Sequence, residues 1–317
     1  MNVLVTGGAG FIGSHLVRAL LEEGHRVRVV DNLVTGKFWR VEPLLDQIEW
    51  QEADLCDRAA ATSAVAGIDV VLHQAAIPSV SRSVFDPVAT SNANVTGTIT
   101  LLQACREAGV RRLVYAASSS AYGTSPALPK VETMAPNPLS PYAVSKLAGE
   151  LYCQVFARLG FLETVCLRYF NIFGPRQDPQ SQYAAVVPRF AQAILNDEAI
   201  PLNGDGSQSR DFTFVANAVR ANLLAMTAPS VSGEVINVGC GERFDLRYLI
   251  DMLGEIIGAT PRIESQPGRA GDVPHSLADI SKARQLLGYE PSVSFRDGAE
   301  RTVDWLRTEG PRYFPTA

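Results

Sequence analysis

The chain has 317 residues, with 28 Lys and Arg against 33 Asp and Glu, a formal charge of −5. This acidic balance leaves no basic surface to hold a nucleic-acid backbone, so nucleic acid is not expected as a partner. No apolar run approaches the ~20 residues that span a bilayer, and the chain opens without a signal-peptide pattern. Its five cysteines are scattered, which is typical of a reducing compartment. We therefore expect a soluble, cytoplasmic protein of about two domains with no membrane partner.

The first predicted unit is a strand, a glycine-rich turn and a helix. The short apolar strand is followed by Gly7, Gly10 and Gly13, which open the helix. Glycines at this spacing let the turn tighten, the backbone approach a pyrophosphate and the helix pack close to the strand. The next strand, at 26–30, is closed by Asp31, whose carboxylate can accept hydrogen bonds from two ribose hydroxyls and would repel a 2′-phosphate. The unit predicts a dinucleotide site that favours NAD over NADP.

Strands and helices then alternate along the chain. Further strands are predicted at 48–51, 69–72, 111–116 and 163–167, with helices from about 57, over 87–108 and over 142–159 between them. Strands joined by helical crossovers predict an α/β fold with a Rossmann-type, doubly wound parallel sheet, whose ligands lie at the carboxyl ends of the strands. His73 ends one strand, and we expect it to be packed or hydrogen-bonded. No second metal-binding group stands at suitable spacing, so no metal site is expected.

A serine, a tyrosine and a lysine are the candidate catalytic groups: Ser118, Tyr142 and Lys146. If 142–146 is helical, the tyrosine and the lysine share one face. A free tyrosine has a pKa of about 10, but a fixed positive charge beside it favours the phenolate. Lowering this pKa to about 7 takes ~4 kcal/mol, which Lys146 and a cationic cofactor ring can supply together. The pattern alone is common on surface helices, so the hypothesis depends on the dinucleotide motif upstream.

Several short motifs occur together in this chain. They are Gly7-x-x-Gly10-x-x-Gly13, Asp31-Asn32, Asp54-Leu55, Ala75-Ala76, Asn94-Val95-x-Gly97-Thr98, Ser118, Tyr142-x-x-x-Lys146 and Arg168-Tyr169-Phe170-Asn171. In combination they resemble the extended short-chain dehydrogenase/reductase family and, more narrowly, its nucleotide-sugar 4-epimerases. The resemblance runs from residue 1 to about residue 305. It assigns Ser118, Tyr142 and Lys146 to the catalytic site.

The resemblance implies NAD as the cofactor. The NAD contacts that it implies are Gly7, Gly10, Phe11, Ile12, Gly13, Asp31, Asn32, Asp54, Leu55, Ala75, Ala76, Asn94, Tyr142, Lys146 and Tyr169. In the family the cofactor is regenerated in every turnover, so we expect it to copurify with the protein.

The resemblance also implies a UDP-sugar substrate. Arg210 and Arg269 lie in loops among glycines, where a guanidinium can hold a diphosphate with two hydrogen bonds. In the family these positions bind the diphosphate, Asp272 a ribose hydroxyl, and the segment 201–203 the uracil. The substrate contacts that follow are Ser118, Ser119, Ser120, Tyr142, Asn171, Ala185, Val186, Pro201, Leu202, Asn203, Arg210, Arg269, Asp272 and Ser276.

The expected reaction is 4-epimerisation through a transient 4-keto sugar. A 4,6-dehydratase of the family needs an acid and a base beside the serine, commonly Asp-Glu, whereas this chain has Ser119 and Ser120. Decarboxylases of the family also tend to have a carboxylate there. Members restricted to glucose carry a tyrosine at the position of Ser276, and a serine leaves volume for a 2-acetamido group. The resemblance therefore implies UDP-N-acetylglucosamine and UDP-N-acetylgalactosamine as substrates, with UDP-glucose and UDP-galactose also able to fit.

Two alternatives stay open at this point. A UDP-glucuronate 4-epimerase needs no additional acid, and other NAD-dependent modification of a nucleotide sugar is compatible with the same motifs. A protein of a different class, a non-catalytic NAD sensor or scaffold, would be indicated by loss of Ser118, Tyr142 or Lys146, and all three are present.

The expected architecture has two parts. Residues 1–168 and 211–240 are assigned to the NAD-binding domain, and residues 169–210 and 241–317 to a smaller α/β domain that binds the UDP-sugar. The resemblance also implies a homodimer, and apolar positions around 95–102 and 147–156 can form its seam or equally face the sheet.

Overall fold

The computed structural model describes residues 1–180, 186–267 and 274–314. The strands are β1 (Asn2–Thr6), β2 (Arg26–Asp31), β3 (Ile48–Glu52), β4 (Val70–His73), β5 (Arg112–Ser118), β6 (Glu163–Tyr169), β7 (Ile172–Phe173), β8 (Ala199–Asn203), β9 (Ser209–Arg210), β10 (Thr213–Phe214), β11 (Glu234–Val238), β12 (Phe244–Asp245) and β13 (Arg262–Gln266). The α-helices are α1 (Phe11–Glu22), α2 (Arg58–Val65), α3 (Val80–Phe85), α4 (Pro87–Ser91), α5 (Gly97–Ala108), α6 (Pro141–Arg158), α7 (Val186–Leu195), α8 (Val215–Thr227), α9 (Leu246–Ile257), α10 (Ser281–Leu287), α11 (Phe295–Thr308) and α12 (Gly310–Tyr313). Short 3₁₀ turns lie at Phe38–Arg40, Glu42–Gln47 and Ser119–Tyr122.

A seven-stranded sheet in the order β11-β6-β5-β4-β1-β2-β3 forms the centre of the fold. All of its neighbouring strands pair in parallel. The chain builds the sheet outward in one direction from β1 through β3 and in the other from β4, so the strand order reverses between β1 and β4. Ligands of doubly wound sheets bind at such a reversal, outside the carboxyl ends of the strands. The predicted Rossmann-type sheet is confirmed.

The helix predicted over 87–108 is not regular. Its middle is a π-helical turn at Asn92–Thr96, between α4 and α5. The wider turn allows Asn94 to reach sideways, where its Oδ1 accepts from the Ile77 N–H at 2.7 Å and its Nδ2 donates to the Ile77 carbonyl at 3.2 Å. Hydrophobic periodicity in the sequence did not reveal this π turn. Such turns are frequent at functional sites.

The remaining strands form two-stranded sheets beside the central one: β7 with β10, β9 with β12, and β8 with β13. Phe173, in β7, contacts Phe212 and Phe295 edge to face, and the rings of Phe212 and Phe295 stack at 4.7 Å. Strand β11 pairs with β6 in the central sheet, which supports the proposed return of residues 211–240 to the first domain. Within the described part of the chain, no helix has the length and apolarity needed to cross a membrane.

Candidate active site

A cleft of about 1410 Å³ lies at the carboxyl ends of the central strands. Every predicted cofactor residue except Asn94 lines it. The substrate-side residues that line it are Ser118, Ser119, Ser120, Tyr142, Asn171, Arg210 and Ser276. Residues far apart in the sequence therefore meet in one cavity that is large enough for two bound molecules.

The start of helix α1 forms one end of the cleft. Gly10 is its N-cap and makes no side-chain cap hydrogen bond, so N–H groups of the first turn are left for a ligand. A Cβ on Gly13 would lie 2.2 Å from the Gly7 carbonyl oxygen, so only glycine lets the helix approach the turn this closely. These are the features that a dinucleotide pyrophosphate requires. The residues present therefore fit NAD.

Two carboxylates follow along the cleft wall. Asp31, at the end of β2, is 7% exposed, and its two oxygens accept from the backbone N–H groups of Ala9 at 3.0 Å and Leu33 at 2.9 Å. Burial raises the pKa of this carboxyl, and both hydrogen bonds oppose the rise. Asp54 accepts from the Cys56 N–H at 2.8 Å, which lowers its pKa. Each fixed carboxylate oxygen retains a lone pair for a ligand hydroxyl.

Local sequence fixes the candidate base at the start of helix α6. The Ser140 side chain caps the helix by accepting from the Ala143 N–H at 3.1 Å, and Pro141 occupies the first turn. The backbone N–H of Tyr142 donates to Ser83 Oγ at 3.0 Å. The phenol thus projects from a rigid helical end, and Lys146 lies one turn further on the same face.

Ser118 contacts the phenol of Tyr142. The hydroxyl of Ser118 accepts two hydrogen bonds, from Ser120 Oγ at 2.9 Å and from the Ser120 N–H at 3.2 Å. Its own proton is therefore free to point to the Tyr142 oxygen, with which its side chain is hydrogen-bonded. The sequence did not divide the work among the three serines, and the geometry indicates that Ser120 orients Ser118.

Burial dominates the pKa values of Tyr142 and Lys146 in the chain alone. Burial raises the pKa of Tyr142 above its ordinary value of 10.0, and the hydrogen bond with Ser118 opposes this rise. Lys146 is 5% exposed, and burial lowers its pKa from 10.5 to about 8. Its Nζ lies 4.8 Å from the centre of the Tyr115 ring. The chain alone therefore does not lower the phenol pKa, because desolvation outweighs the hydrogen bond with Ser118. The expected lowering is assigned to Lys146 and a cationic cofactor ring together.

Asn94 lies behind the cleft wall, although the resemblance implied a cofactor contact. Its amide bonds the Ile77 backbone and donates to Ser145 Oγ at 2.9 Å, and Ser145 Oγ donates to the Tyr142 carbonyl at 2.8 Å. This side chain is 1% exposed, so it acts on the cleft by fixing the segment after β4 to helix α6.

His73 is packed and hydrogen-bonded, as expected. Its ring nitrogens bond Thr6 Oγ1 at 2.7 Å and Thr98 Oγ1 at 2.9 Å. Because the Thr98 hydroxyl donates to the Asn94 carbonyl at 2.7 Å, it accepts from Nε2 of the imidazole. Burial lowers the pKa of His73 to about 3, so the ring is neutral at physiological pH.

The opposite end of the cleft is lined by Asn171 and Ser276. Asn171 has a φ of 34° and donates from Nδ2 to the Asp211 carbonyl and to Ser276 Oγ, both at 3.1 Å. Nη1 of Arg210 donates to the carbonyls of Ser209 and Pro274 at 3.0 Å, which anchors the arginine at the cleft. This end therefore offers small polar groups and the guanidinium of Arg210.

Four predicted substrate residues do not line this cleft. Val186 begins α7, and Leu202 is buried in the hydrophobic core. Pro201 lines a separate hollow of about 770 Å³ beside Gln192, and Asn203 ends β8. The predicted residues Ala185, Arg269 and Asp272 lie outside the described residues.

Among the cleft residues that were not found from the sequence are Arg40, Tyr122 and Lys130. Tyr122 donates to Asn237 Oδ1 at 2.6 Å, and the guanidinium of Arg168 lies 4.6 Å from the centre of its ring. Lys130 is 1% exposed and its ammonium donates to the Ser125 carbonyl. No motif marks these positions, because each enters the cleft through pairing of distant segments, as in the bridge between Lys130 and Ala278.

Comparison with known proteins gives consistent results. Residues 3–239 match the model of the NAD dependent epimerase/dehydratase family. The UDP-glucose 4-epimerase of Mycolicibacterium smegmatis is 40% identical over 314 residues, which cover 98% of this chain and 99% of that protein.

Two solved structures are similar over nearly the whole chain. Thermus thermophilus UDP-glucose 4-epimerase, in complex with NAD, is 38% identical with a TM-score of 0.89, and 97% of this chain and 99% of that one are covered. The UDP-N-acetylglucosamine 4-epimerase from Methanobrevibacter ruminantium, in complex with UDP-N-acetylmuramic acid, is 37% identical with a TM-score of 0.93, at 97% and 98% coverage.

Proposed function

Because this chain belongs to the NAD dependent epimerase/dehydratase family, as an NAD-dependent UDP-sugar 4-epimerase, we propose that it interconverts UDP-N-acetylglucosamine and UDP-N-acetylgalactosamine. The observation that carries the choice of sugar lies at the sugar end of the cleft. There the small polar side chain of Ser276 accepts a hydrogen bond from Asn171. A serine leaves room for a 2-acetamido group. UDP-glucose and UDP-galactose also fit, since the space left by the small side chain of Ser276 admits smaller sugars as well.

Tyr142 is the proposed base. As phenolate it takes the proton of the sugar 4-hydroxyl, and Ser118 donates a hydrogen bond to the same oxygen. NAD, when bound, supplies the acceptor for the C4 hydride and a positive ring. Since burial raises the pKa of Tyr142 in the chain alone, the phenolate depends on that ring together with the Lys146 ammonium.

Inversion follows when the 4-keto sugar turns its other face to the same groups. Tyr142 returns the proton that it removed, so the tyrosine ends the cycle unchanged. Arg210 is proposed to hold the diphosphate during this rotation, together with Arg269 from outside the described residues. Ser119 and Ser120 carry no carboxyl group, which supports epimerisation over elimination of water.

Isotope labelling tests this mechanism. UDP-N-acetylglucosamine with deuterium at C4 should give UDP-N-acetylgalactosamine that keeps the label at C4, because the hydride is returned within the site. Loss of deuterium to solvent would contradict the 4-keto route. The variant Tyr142→Phe, with the same ring and no hydroxyl, serves as the matched control.

A UDP-hexuronate is the second candidate substrate. The position of the Lys130 ammonium at the cleft is the observation that favours it. Its ammonium has three N–H donors, of which the Ser125 carbonyl takes one, and the residue lines the cleft with Ser120 and Ser276. A sugar carboxylate would pair with this cation. Turnover of UDP-glucuronate by the native protein and its loss in Lys130→Met would support this candidate, and no turnover would exclude it.

We further propose a homodimer. On helix α6, Val144, Leu151, Tyr152 and Val155 form an exposed apolar row at helical spacing. Leu101 and Leu102 are instead fully buried in the core, so that part of the predicted seam faces the sheet. A second copy packing on the α6 row would remove these side chains from water.

A further inference from the structure

The segment 32–40 covers the Asp31 end of the cleft. It folds back on the carboxylate so closely that a Cβ on Gly36 would lie 2.6 Å from Asp31 Oδ1. The backbone N–H of Lys37 donates to the Ala9 carbonyl at 2.9 Å, which joins the segment to the glycine-rich turn. Asn32, Thr35, Lys37 and Arg40 line the cleft. This covering segment therefore encloses the place where a cofactor ribose is expected.

Arg40 fastens the covering segment at its end. The residue is 3% exposed, and its Nη1 donates to the Ala9 carbonyl at 3.2 Å. Its Nε and Nη2 donate to the Arg176 carbonyl at 3.1 and 2.8 Å. One guanidinium thus joins the covering segment to the glycine-rich turn and to the chain that follows β7. Burial lowers the pKa of Arg40 to about 10, and the carboxylates of Asp178 and Asp31 oppose this, so the guanidinium stays charged at neutral pH.

Aromatic rings from the last two helices pack against Trp39, the residue before Arg40. Trp39 stacks on Tyr313 with ring centres 3.9 Å apart and planes at 13°, and Trp305 lies nearly parallel to it at 6.2 Å. The Arg40 guanidinium lies 5.1 Å from the centre of the Trp39 ring. Trp305 belongs to α11 and Tyr313 to α12, so the last helices pack directly against the covering segment.

We propose that this aromatic stack is a clasp that retains NAD: Trp39 packed on Tyr313 holds Arg40, and Arg40 keeps the segment 32–40 closed over the cofactor. An epimerase has a particular need for such a clasp. Its cofactor must stay in place until the keto sugar is reduced again, because release in between would end the cycle at the ketone. Neither Trp39 nor Tyr313 lines the cleft, so the clasp acts through position and not through contact with the sugar.

The test compares NAD retention in Trp39→Ala and Tyr313→Ala with that of the native protein. Bound NAD is measured per chain after desalting, and its dissociation constant by calorimetry. Loss of a stacked pair is expected to weaken NAD binding ~10-fold. The two changes should not add in the double variant, since they remove the same contact. Tyr313→Phe keeps the ring and should retain NAD as the native protein does, which separates the clasp from a general folding defect.

Tyr248→Ala is the matched control. Tyr248 stacks on Phe244 at 5.0 Å and is also partly exposed, but the pair lies on β12 and α9, away from the covering segment. Unchanged NAD binding in Trp39→Ala, or an equal loss in Tyr248→Ala, would overturn the proposal. The inference rests on NAD as the cofactor and not on the proposed sugar. NAD retention can therefore be scored even if no UDP-N-acetylhexosamine is converted.

Discussion

The buried ammonium of Lys146 should cost the protein stability, and replacing it should reveal that cost. The variant Lys146→Met keeps a long unbranched side chain and removes the charge. Lys146 is 5% exposed and burial lowers its pKa from 10.5 to about 8. We expect the variant to be inactive and yet more stable than the native protein at neutral pH, because a group kept for catalysis is held in an unfavourable environment.

The magnitude follows from the pKa. A pKa change of one corresponds to about 1.4 kcal/mol, so the lowered pKa represents about 3 kcal/mol of unfavourable free energy. The contact of the Lys146 Nζ with the Tyr115 ring stabilises the native protein by ~1 kcal/mol. The variant should therefore gain about 2 kcal/mol in free energy of unfolding at pH 7.

The stability difference between the native protein and Lys146→Met should change with pH in a direction set by the lowered lysine pKa. Below pH 8 the lysine is charged in both the folded and the unfolded chain, so the cost is complete. Between pH 8 and about 10.5 the folded chain releases its proton first, and the native protein gains stability relative to the variant as the pH rises.

Urea unfolding at pH 7 and near pH 10, after removal of bound nucleotide, measures the difference. Lys282→Met, which breaks a surface ion pair with Glu234 at 2.7 Å, is the control and should change stability by less than ~1 kcal/mol. The reasoning fails if Lys146→Met is less stable than the native protein at pH 7, or if its advantage is the same at both pH values.

Five further variants test the site and the assembly. Tyr142→Phe should lower kcat ~10²-fold or more while NAD stays bound, as measured by turnover and by NAD content. Ser118→Ala should lower kcat ~10²-fold and Ser120→Ala only ~10-fold, since Ser120 acts through Ser118; steady-state kinetics rank them. Ser276→Tyr should abolish turnover of UDP-N-acetylglucosamine and spare UDP-glucose, which a comparison of kcat/KM for the two sugars would show. Tyr152→Glu on the exposed row of α6 should give a monomer by light scattering.

Each of these expectations has an opposite result. Unchanged turnover in Tyr142→Phe would remove the tyrosine as base. An effect of Ser120→Ala as large as that of Ser118→Ala would give Ser120 a direct role. Equal loss of both sugars in Ser276→Tyr would show that the position does not select the sugar. A dimer in Tyr152→Glu would place the interface elsewhere.

The sequence predicts the sheet and most of the cleft because their signals are local. Gly7, Gly10 and Gly13, followed by Asp31 at the end of the next strand, mark a pyrophosphate-binding unit, and Ser118 stands at a predicted strand end. Parallel strands bring such ends together without further information. The residues predicted for the cofactor side therefore lie together in one cleft, apart from Asn94.

What the sequence did not reveal depends on packing between distant segments. The Tyr142 pKa rises because of burial, which no spacing reports. Asn94 matches a family motif, but a π turn aims it behind the wall at Ile77 and Ser145. Arg40 is held at the cleft by hydrogen bonds to the carbonyl of Arg176, 136 residues away, and its neighbour Trp39 stacks on Tyr313 of the last helix. Such contacts leave no periodic pattern in a single sequence.

Proton NMR of the anomeric signals shows directly whether the protein epimerises a UDP-sugar at C4. Purified protein, with no added cofactor, is incubated separately with UDP-N-acetylglucosamine, UDP-glucose and UDP-glucuronate. We expect the 4-epimer of UDP-N-acetylglucosamine to appear, which would also show that NAD is retained. No conversion of any of the three sugars, even after NAD is supplied, would contradict this expectation.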